Sequence, residues 1–352
     1  MGKVEMKEKN HVIEFLRFFF TIGVVVGHAY CVFYQENNPS YTIQFHTACV
    51  DFFFIVSGFF TAKHFYKNEE SSNEKKFLKY NLSRIKRLYP LLVIGALEGI
   101  VYDGIRLRFQ SEAWPTFFFL GGINKFAGWN VIWYISALFW GTLVASALLC
   151  WRKKLAVSLY FPLIAFFSLS IMNYWGCCNL FSVPLIGNFF SAGLVRGICG
   201  VSFGIEAYYL SIFIGKNLDK FKNGAVAFLS IMFEIAFIIL VVYLAVKQNF
   251  NDKEFLIYFA TAALLIVLNL NQQRIFNCLN RKIWDPFGKI SAMIYVTHFY
   301  LERGLYKISC IRDLPDIAVY AICVISACVA GVMAYEAEKR AEALLSKAIF
   351  NH

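Results

Sequence analysis

The first apolar block of the chain holds three ionisable residues, Glu14, Arg17 and His28, where a charge is costly unless it has a partner or a task. Arginine can hold an anion, and histidine exchanges a proton near neutral pH. At 100° per residue, the steps from Arg17 to His28 make three helical turns plus about 20°, so both side chains share one face. Glu14 lies one turn before Arg17, and Thr21 fills the gap. The stripe from Arg17 to His28 is about 16 Å long, and lipid would reject it. Two plainer readings stand beside a functional one. Glu14 and Arg17 can pair at the membrane interface with their charged ends in water, and His28 can be a structural histidine bonded to a neighbouring helix.

The second apolar block opens with Val50-Asp51 and continues through Ser57-Gly58. Asp51 falls near the level of His28 if the two helices run antiparallel. It can orient that histidine or mark the water boundary, and spacing alone favours neither. Ser57 and Gly58 are small and suit close helix approach. The strip Ser83-Arg84-Ile85-Lys86-Arg87-Leu88-Tyr89-Pro90 sets three cations beside a predicted helix start. Such a group suits a polyanion such as a nucleotide phosphate, and it equally suits lipid headgroups and orientation. Later blocks add Trp133-Tyr134, Arg196, Glu206, Glu234 and His298. Arg196 lies in the glycine-rich segment 193–204, which can pack tightly around a buried charge. Glu206 is a possible partner for it, although too distant for a direct pair along one helix. His298 suits a packing or interfacial role, and His11, His46, His64 and His352 read as boundary or surface residues.

The elements that must position these residues are membrane-spanning helices. Hydrophobic residues make up 59% of the 352 positions and charged residues 16%, against roughly 25% charged in a soluble domain. The apolar residues gather in blocks of about 20, the length that crosses a ~30 Å hydrocarbon core. Ten such spans are predicted, at residues 12–33, 49–65, 88–105, 129–151, 155–171, 190–214, 225–246, 255–270, 290–305 and 317–337. Asp103 and Arg106 crowd the end of the third. The piece 117–123 is too short to span and is expected at the interface. The first block follows a charged start with no small-residue cleavage site, so it reads as a retained span.

With the N-terminus in the cytoplasm, the inside loops hold clusters of basic residues, from Lys63 to Arg87, then Arg152 to Lys154, Lys216 to Lys222, and Arg274 to Lys282. The outside loops near residues 35–48 and 172–189 contain no Lys or Arg. This is the positive-inside asymmetry, broken by Arg106, Arg108, Lys125 and Arg312. The expectation is an all-α, polytopic integral membrane protein of about ten transmembrane helices, both termini cytoplasmic, with residues 1–352 forming a single domain. The net charge of +11 lies in strips beside apolar blocks and does not form a nucleic-acid-binding face, so no nucleic-acid partner is expected. The ten cysteines show no metal spacing. Apart from Cys177-Cys178 they are scattered through apolar blocks, so neither a disulfide framework nor a metal site is expected.

Taken in order, these segments resemble the acyltransferase 3 family of membrane acyltransferases. Ile13-Glu14-Phe15-Leu16-Arg17 followed by His28 is similar to the family's opening. Val50-Asp51 with the segment 53–59 resembles its second-span signature, and Arg84, Arg87 and Pro90 match the basic strip that follows. Trp133-Tyr134, the Arg196 segment and Tyr295 to His298 sit in the expected order, so the resemblance covers nearly the whole chain. Two departures concern the acceptor. No acid follows Trp133 in Tyr134-Ile135-Ser136-Ala137-Leu138, and no accessory domain is expected after the last span.

The resemblance implies transfer of an acyl group, often acetyl, from cytoplasmic acyl-CoA to a hydroxyl of a saccharide, a lipid-linked glycan or a similar acceptor. It implies His28 as the catalytic residue with Arg17 its partner, and Arg84 and Arg87 holding the coenzyme. A histidine base near the working pH suits a hydroxyl acceptor, although an acyl-carrier role is open. Asp51 joins the candidate catalytic set; Glu14, Trp133, Tyr134, Arg196 and His298 join the candidate substrate-binding set. Acyl-CoA enters as a donor substrate, with no resident cofactor expected. Membrane lipids are the other partners, in a multi-pass protein of the cell membrane, and no oligomeric state is implied. Two readings compete: a transporter or exporter of a sugar or acylated metabolite, which more often shows inverted repeats with broken helices, and a membrane sensor or structural subunit, which needs no aligned Arg17 and His28.

Overall fold

The computed structural model describes residues 9–35, 45–67, 73–105, 111–122, 130–175, 185, 190–220, 222–246 and 255–350. Ten long helices hold most of them, and none of the described residues forms a β-strand. They are α1 (Val12–Tyr30), α2 (Phe45–Lys67), α3 (Asn73–Ile105), α4 (Trp133–Trp151) and α5 (Lys153–Tyr174). The second half adds α6 (Ala192–Lys216), α7 (Asn223–Val246), α8 (Leu256–Asn269), α9 (Trp284–Leu305) and α10 (Asp316–Phe350). Each lies on one of the predicted apolar blocks. Seven of them (α1, α2, α4, α5, α6, α7 and α10) are long and apolar enough to cross a membrane. The fourteen residues of α8 rise about 21 Å, short of a full crossing, while α3 and α9 mix charges into their apolar runs. Large apolar side chains such as Phe166, Phe228, Ile239 and Met333 face outward from α5, α7 and α10. Such a surface belongs in lipid, and the chain is a multi-pass membrane protein.

Two helices extend farthest beyond the predicted spans, α3 and α10. The basic strip from Ser83 to Pro90 does not precede a helix start; it lies inside α3, which begins at Asn73 and carries Pro90 in its interior. Lysine, leucine and arginine are good helix formers, so α3 continues through this charged stretch. The 35 residues of α10 rise about 52 Å, more than a bilayer core needs, because its Ala-, Glu-, Lys- and Leu-rich end is strongly helix-forming. Of the short apolar piece expected at 117–123, only the first two residues are helical, as the end of a 3₁₀ helix, Ser111–Phe118, after which Phe119 stacks on Phe139 at 4.3 Å. Cys177, Cys178, Arg106, Arg108, Lys125 and His352 lie outside the described residues.

The closest helix pair is α2 with α6. A Cβ on Gly58 would collide with the carbonyl of Val201, and one on Gly204 with the carbonyl of Ile55. Small residues let the two backbones touch, as within membranes where packing must replace the hydrophobic effect. At one end of the bundle the start of α1 is tied to α8 and α9. Asn10 Nδ2 donates to the Leu268 carbonyl at 3.0 Å, and the His11 amide donates to Asn280 Oδ1 at 2.8 Å. Asp285 Oδ1 lies 2.9 Å from Lys9 Nζ and 2.8 Å from His11 Nδ1. The meeting of these three helix ends is what the alternating order of the predicted spans requires. Buried Glu234 of α7 accepts the backbone N–H groups of Arg274 and Ile275, closing the turn between α8 and α9.

Candidate functional site

Two polar stripes face one another, one on α1 and one on α9. Phe15 meets Trp284 and Phe18 meets Phe287, with ring centroids 4.8 and 5.0 Å apart, so the helices begin together. Glu14 fills the place where a side chain on Gly288 would stand. Fourteen residues further along α1, His28 meets His298 of α9, so the two helices run parallel. On α9 the buried residues Ser291, Tyr295, His298 and Glu302 recur at steps of four and three, which aligns them on one helical face. This stripe matches the one running from Glu14 through Arg17 and Thr21 to His28.

Between the stripes, at the end where α1 and α9 begin, lies a cavity of about 380 Å³. Arg17, Arg84, Arg87 and Lys289 line it, with Glu338 as the lone carboxylate among its described lining residues. Arg17 Nη1 lies 3.3 Å from Glu14 Oε2, and Glu14 also meets Lys9 Nζ at 3.1 Å. Arg84 is buried and donates from Nη2 to Thr142 Oγ1 at 3.3 Å, while its Nε has no hydrogen-bond partner among the described residues. No carboxylate forms an ion pair with Arg84 or Arg87 among the described residues. A buried guanidinium donor without an anion, as at Arg84 Nε, is costly, and a phosphate or carboxylate ligand held between it and the more exposed Arg87 would satisfy it. Tyr134 and Tyr295 line the far part of the cavity with ring centroids 5.1 Å apart.

One turn beyond Tyr295, His28 Nδ1 lies 2.7 Å from His298 Nε2, and His298 Nδ1 lies 2.7 Å from the carbonyl oxygen of Tyr295. His298 is fully buried, whereas His28 is partly exposed. The His46 ring lies 4.8 Å from that of His28, so a residue expected at the boundary stands beside the candidate base. Glu302 follows His298 by one turn, fully buried, with both carboxylate oxygens lacking a hydrogen-bond partner among the described residues.

Asp51 forms no part of this pair. Its Oδ1 accepts from Arg196 Nε at 3.1 Å, Arg196 Nη2 at 3.0 Å and the Tyr258 hydroxyl at 2.8 Å. It therefore neither orients His28 nor marks the water boundary, since it is almost wholly buried. Arg196 also donates to the Thr47 carbonyl at 3.0 Å and lies over the Trp133 ring at 5.4 Å. Its carboxylate partner is Asp51 and not Glu206, which lines a separate apolar groove against α5 and α8. The close approach of α2 and α6 brings Asp51 within reach of Arg196.

The candidates thus fall into three groups. Arg17, Arg84, Arg87 and Tyr134 share the cavity, with Glu14 behind Arg17; His28 and His298 form the second group; Asp51, Arg196 and Trp133 form the third. Sequence reasoning missed Thr142, Tyr258 and Glu302. A Glu302 four residues after His298 was a readable signal, because that spacing puts both on one helical face.

The described residues thus form a bundle of apolar helices around a cationic cavity, with a histidine pair on two facing helices. The acyltransferase domain of the acyltransferase 3 family matches residues 10–336, nearly the whole chain. The chain belongs to that family and is a membrane acyltransferase. No curated protein and no solved structure matches it.

Proposed function

We propose that the protein transfers an acyl group, with acetyl the first candidate, from acyl-CoA to a hydroxyl of a saccharide or lipid-linked acceptor. The observation that carries this reading is the cavity of Arg17, Arg84 and Arg87, from which two facing stripes lead to His28. Arg84 and Arg87 supply fixed cations for the donor's phosphates. The pantetheine arm then runs between α1 and α9, past the layer of Tyr134 and Tyr295, toward His28.

His28 acts as the general base. The acceptor hydroxyl gives its proton to His28 as its oxygen attacks the thioester carbonyl. The carbon–sulfur bond then breaks, and the proton passes from His28 to the leaving thiolate of CoA. The Arg196–Asp51 pair holds α2 against α6 and thereby the wall that carries Ser57 and Phe53 into the cavity. Both termini face the cytoplasm of a cell-membrane protein. Support comes from the basic residues Lys9, Lys63 and Lys67, which gather at the end where α1 begins, the end from which a cytoplasmic donor enters.

The test is calorimetric binding of acetyl-CoA to the detergent-purified protein, wild type beside the Arg84→Ala/Arg87→Ala variant. Saturable binding that the double variant loses supports the reading. A well-folded sample that binds neither acetyl-CoA nor longer acyl-CoAs argues for a transporter.

A further inference from the structure

The two short contacts around His298 determine more than proximity. A carbonyl oxygen can only accept, so the 2.7 Å contact from His298 Nδ1 to the Tyr295 carbonyl requires a proton on Nδ1. A neutral imidazole carries one N–H, which leaves His298 Nε2 with a lone pair. The 2.7 Å contact between that atom and His28 Nδ1 then requires the proton to sit on His28 Nδ1. His28 Nε2 is left unprotonated, and it makes no hydrogen bond to any described residue.

We infer that His298 is a positioning residue whose hydrogen bond, oriented by the Tyr295 carbonyl, holds His28 in the tautomer that presents Nε2 as the base. The inference rests on the acyltransfer reading for its functional meaning, while the tautomer itself is a property of the protein. The arrangement has the logic of a nucleophile's base held by a third group, with a neutral histidine in place of a carboxylate. As His28 takes the hydroxyl proton at Nε2, its Nδ1–H continues to donate to His298. The imidazolium is thereby steadied without a second proton transfer. The main-chain carbonyl at the end of the relay is immune to side-chain substitution, so the direction of the relay is built into α9.

Two measurements on the full-length protein test this. Nitrogen-15 spectra of histidine-labelled protein in detergent, assigned with His28→Ala and His298→Ala, should show both rings protonated at Nδ1. A His28 protonated at Nε2 in the neutral state overturns the inference. The second measurement follows label from radioactive acetyl-CoA into membranes. His298→Ala should lower kcat by about tenfold or more, with the KM for acetyl-CoA changed by less than about twofold. His298→Gln, whose amide oxygen can accept the same bond, should recover part of the loss. A His298→Ala protein with unchanged kcat, while His28→Ala is inactive, contradicts the positioning role. Transfer retained by His28→Ala instead overturns His28 as the base while leaving acyl transfer standing; absence of transfer by the wild-type protein overturns the acyltransfer reading, and the spectra still decide the tautomer.

Discussion

Arg196 of α6 and Asp51 of α2 form a buried ion pair, Nη2 to Oδ1 at 3.0 Å, at the seam where the two helices come closest. Removing one partner strands the other charge where neither water nor lipid can solvate it. Asp51→Asn should therefore cost about 3–5 kcal/mol of stability, read as a lower melting temperature in detergent or loss of the monodisperse species. The double variant Asp51→Asn/Arg196→Gln should recover part of that loss, because it removes both charges. Equal stability of Asp51→Asn and wild type would show that the pair is not a structural tie.

The same seam reverses the usual effect of a glycine substitution. In an open helix, Gly→Ala is favourable by about 1 kcal/mol. Gly204→Ala should instead destabilise by about 1–3 kcal/mol, since the new methyl group meets the Ile55 carbonyl. Gly224→Ala, where nothing stands within 4 Å, serves as the comparison. Thermal melts of the two variants should move in opposite directions or leave Gly224→Ala unchanged.

The cationic cavity makes a graded prediction for the donor. Each charge-assisted hydrogen bond contributes about 1.5–3 kcal/mol, so Arg84→Ala or Arg87→Ala alone should weaken acetyl-CoA about ten- to a hundredfold. Arg87→Lys should fall between, because it keeps the charge and loses the planar fork. Calorimetry at rising ionic strength should show weaker wild-type binding; affinity indifferent to both salt and these substitutions would contradict the assignment.

A pH signature is expected at the end where α1 meets α9. Hydrogen bonds from Lys9 first, and then from His11, hold the Asp285 carboxyl below the usual aspartate range. A lowered folded pKa stabilises the fold above the unfolded value of about 3.9, and that contribution is lost as pH falls through the folded value. Asp285→Asn should melt lower than wild type at neutral pH, and the two should converge as the pH drops below about 4. A constant gap between the two melting curves would contradict the linkage.

Helix positions and the α1 stripe were legible in the sequence because apolar block length and a 3.6-residue period are local properties. Pairings between helices were not. Arg196 was readable as a charge held in a small-residue helix, yet its partner lies 145 positions away, and nothing local distinguishes Asp51 from a boundary aspartate. His298 and His46 looked like packing or boundary residues because their meaning depends on α1 standing against α9 and the start of α2. The basic strip of α3 was misplaced outside a helix because solvated helical turns and charged loops have the same composition. The family resemblance, by contrast, was carried by motifs spread along the chain, and the match over residues 10–336 bears it out.

The most direct test of the account separates donor binding from transfer at His28. Wild-type and His28→Ala proteins of equal melting temperature are given radioactive acetyl-CoA in membranes, and bound donor and transferred label are measured in parallel. The account predicts that His28→Ala binds acetyl-CoA within about threefold of wild type, because Arg17, at the guanidinium end of the cavity, lies about 16 Å from His28 along α1, while transfer of label falls by about a hundredfold or more. Transfer at the wild-type rate by a folded His28→Ala protein would contradict it.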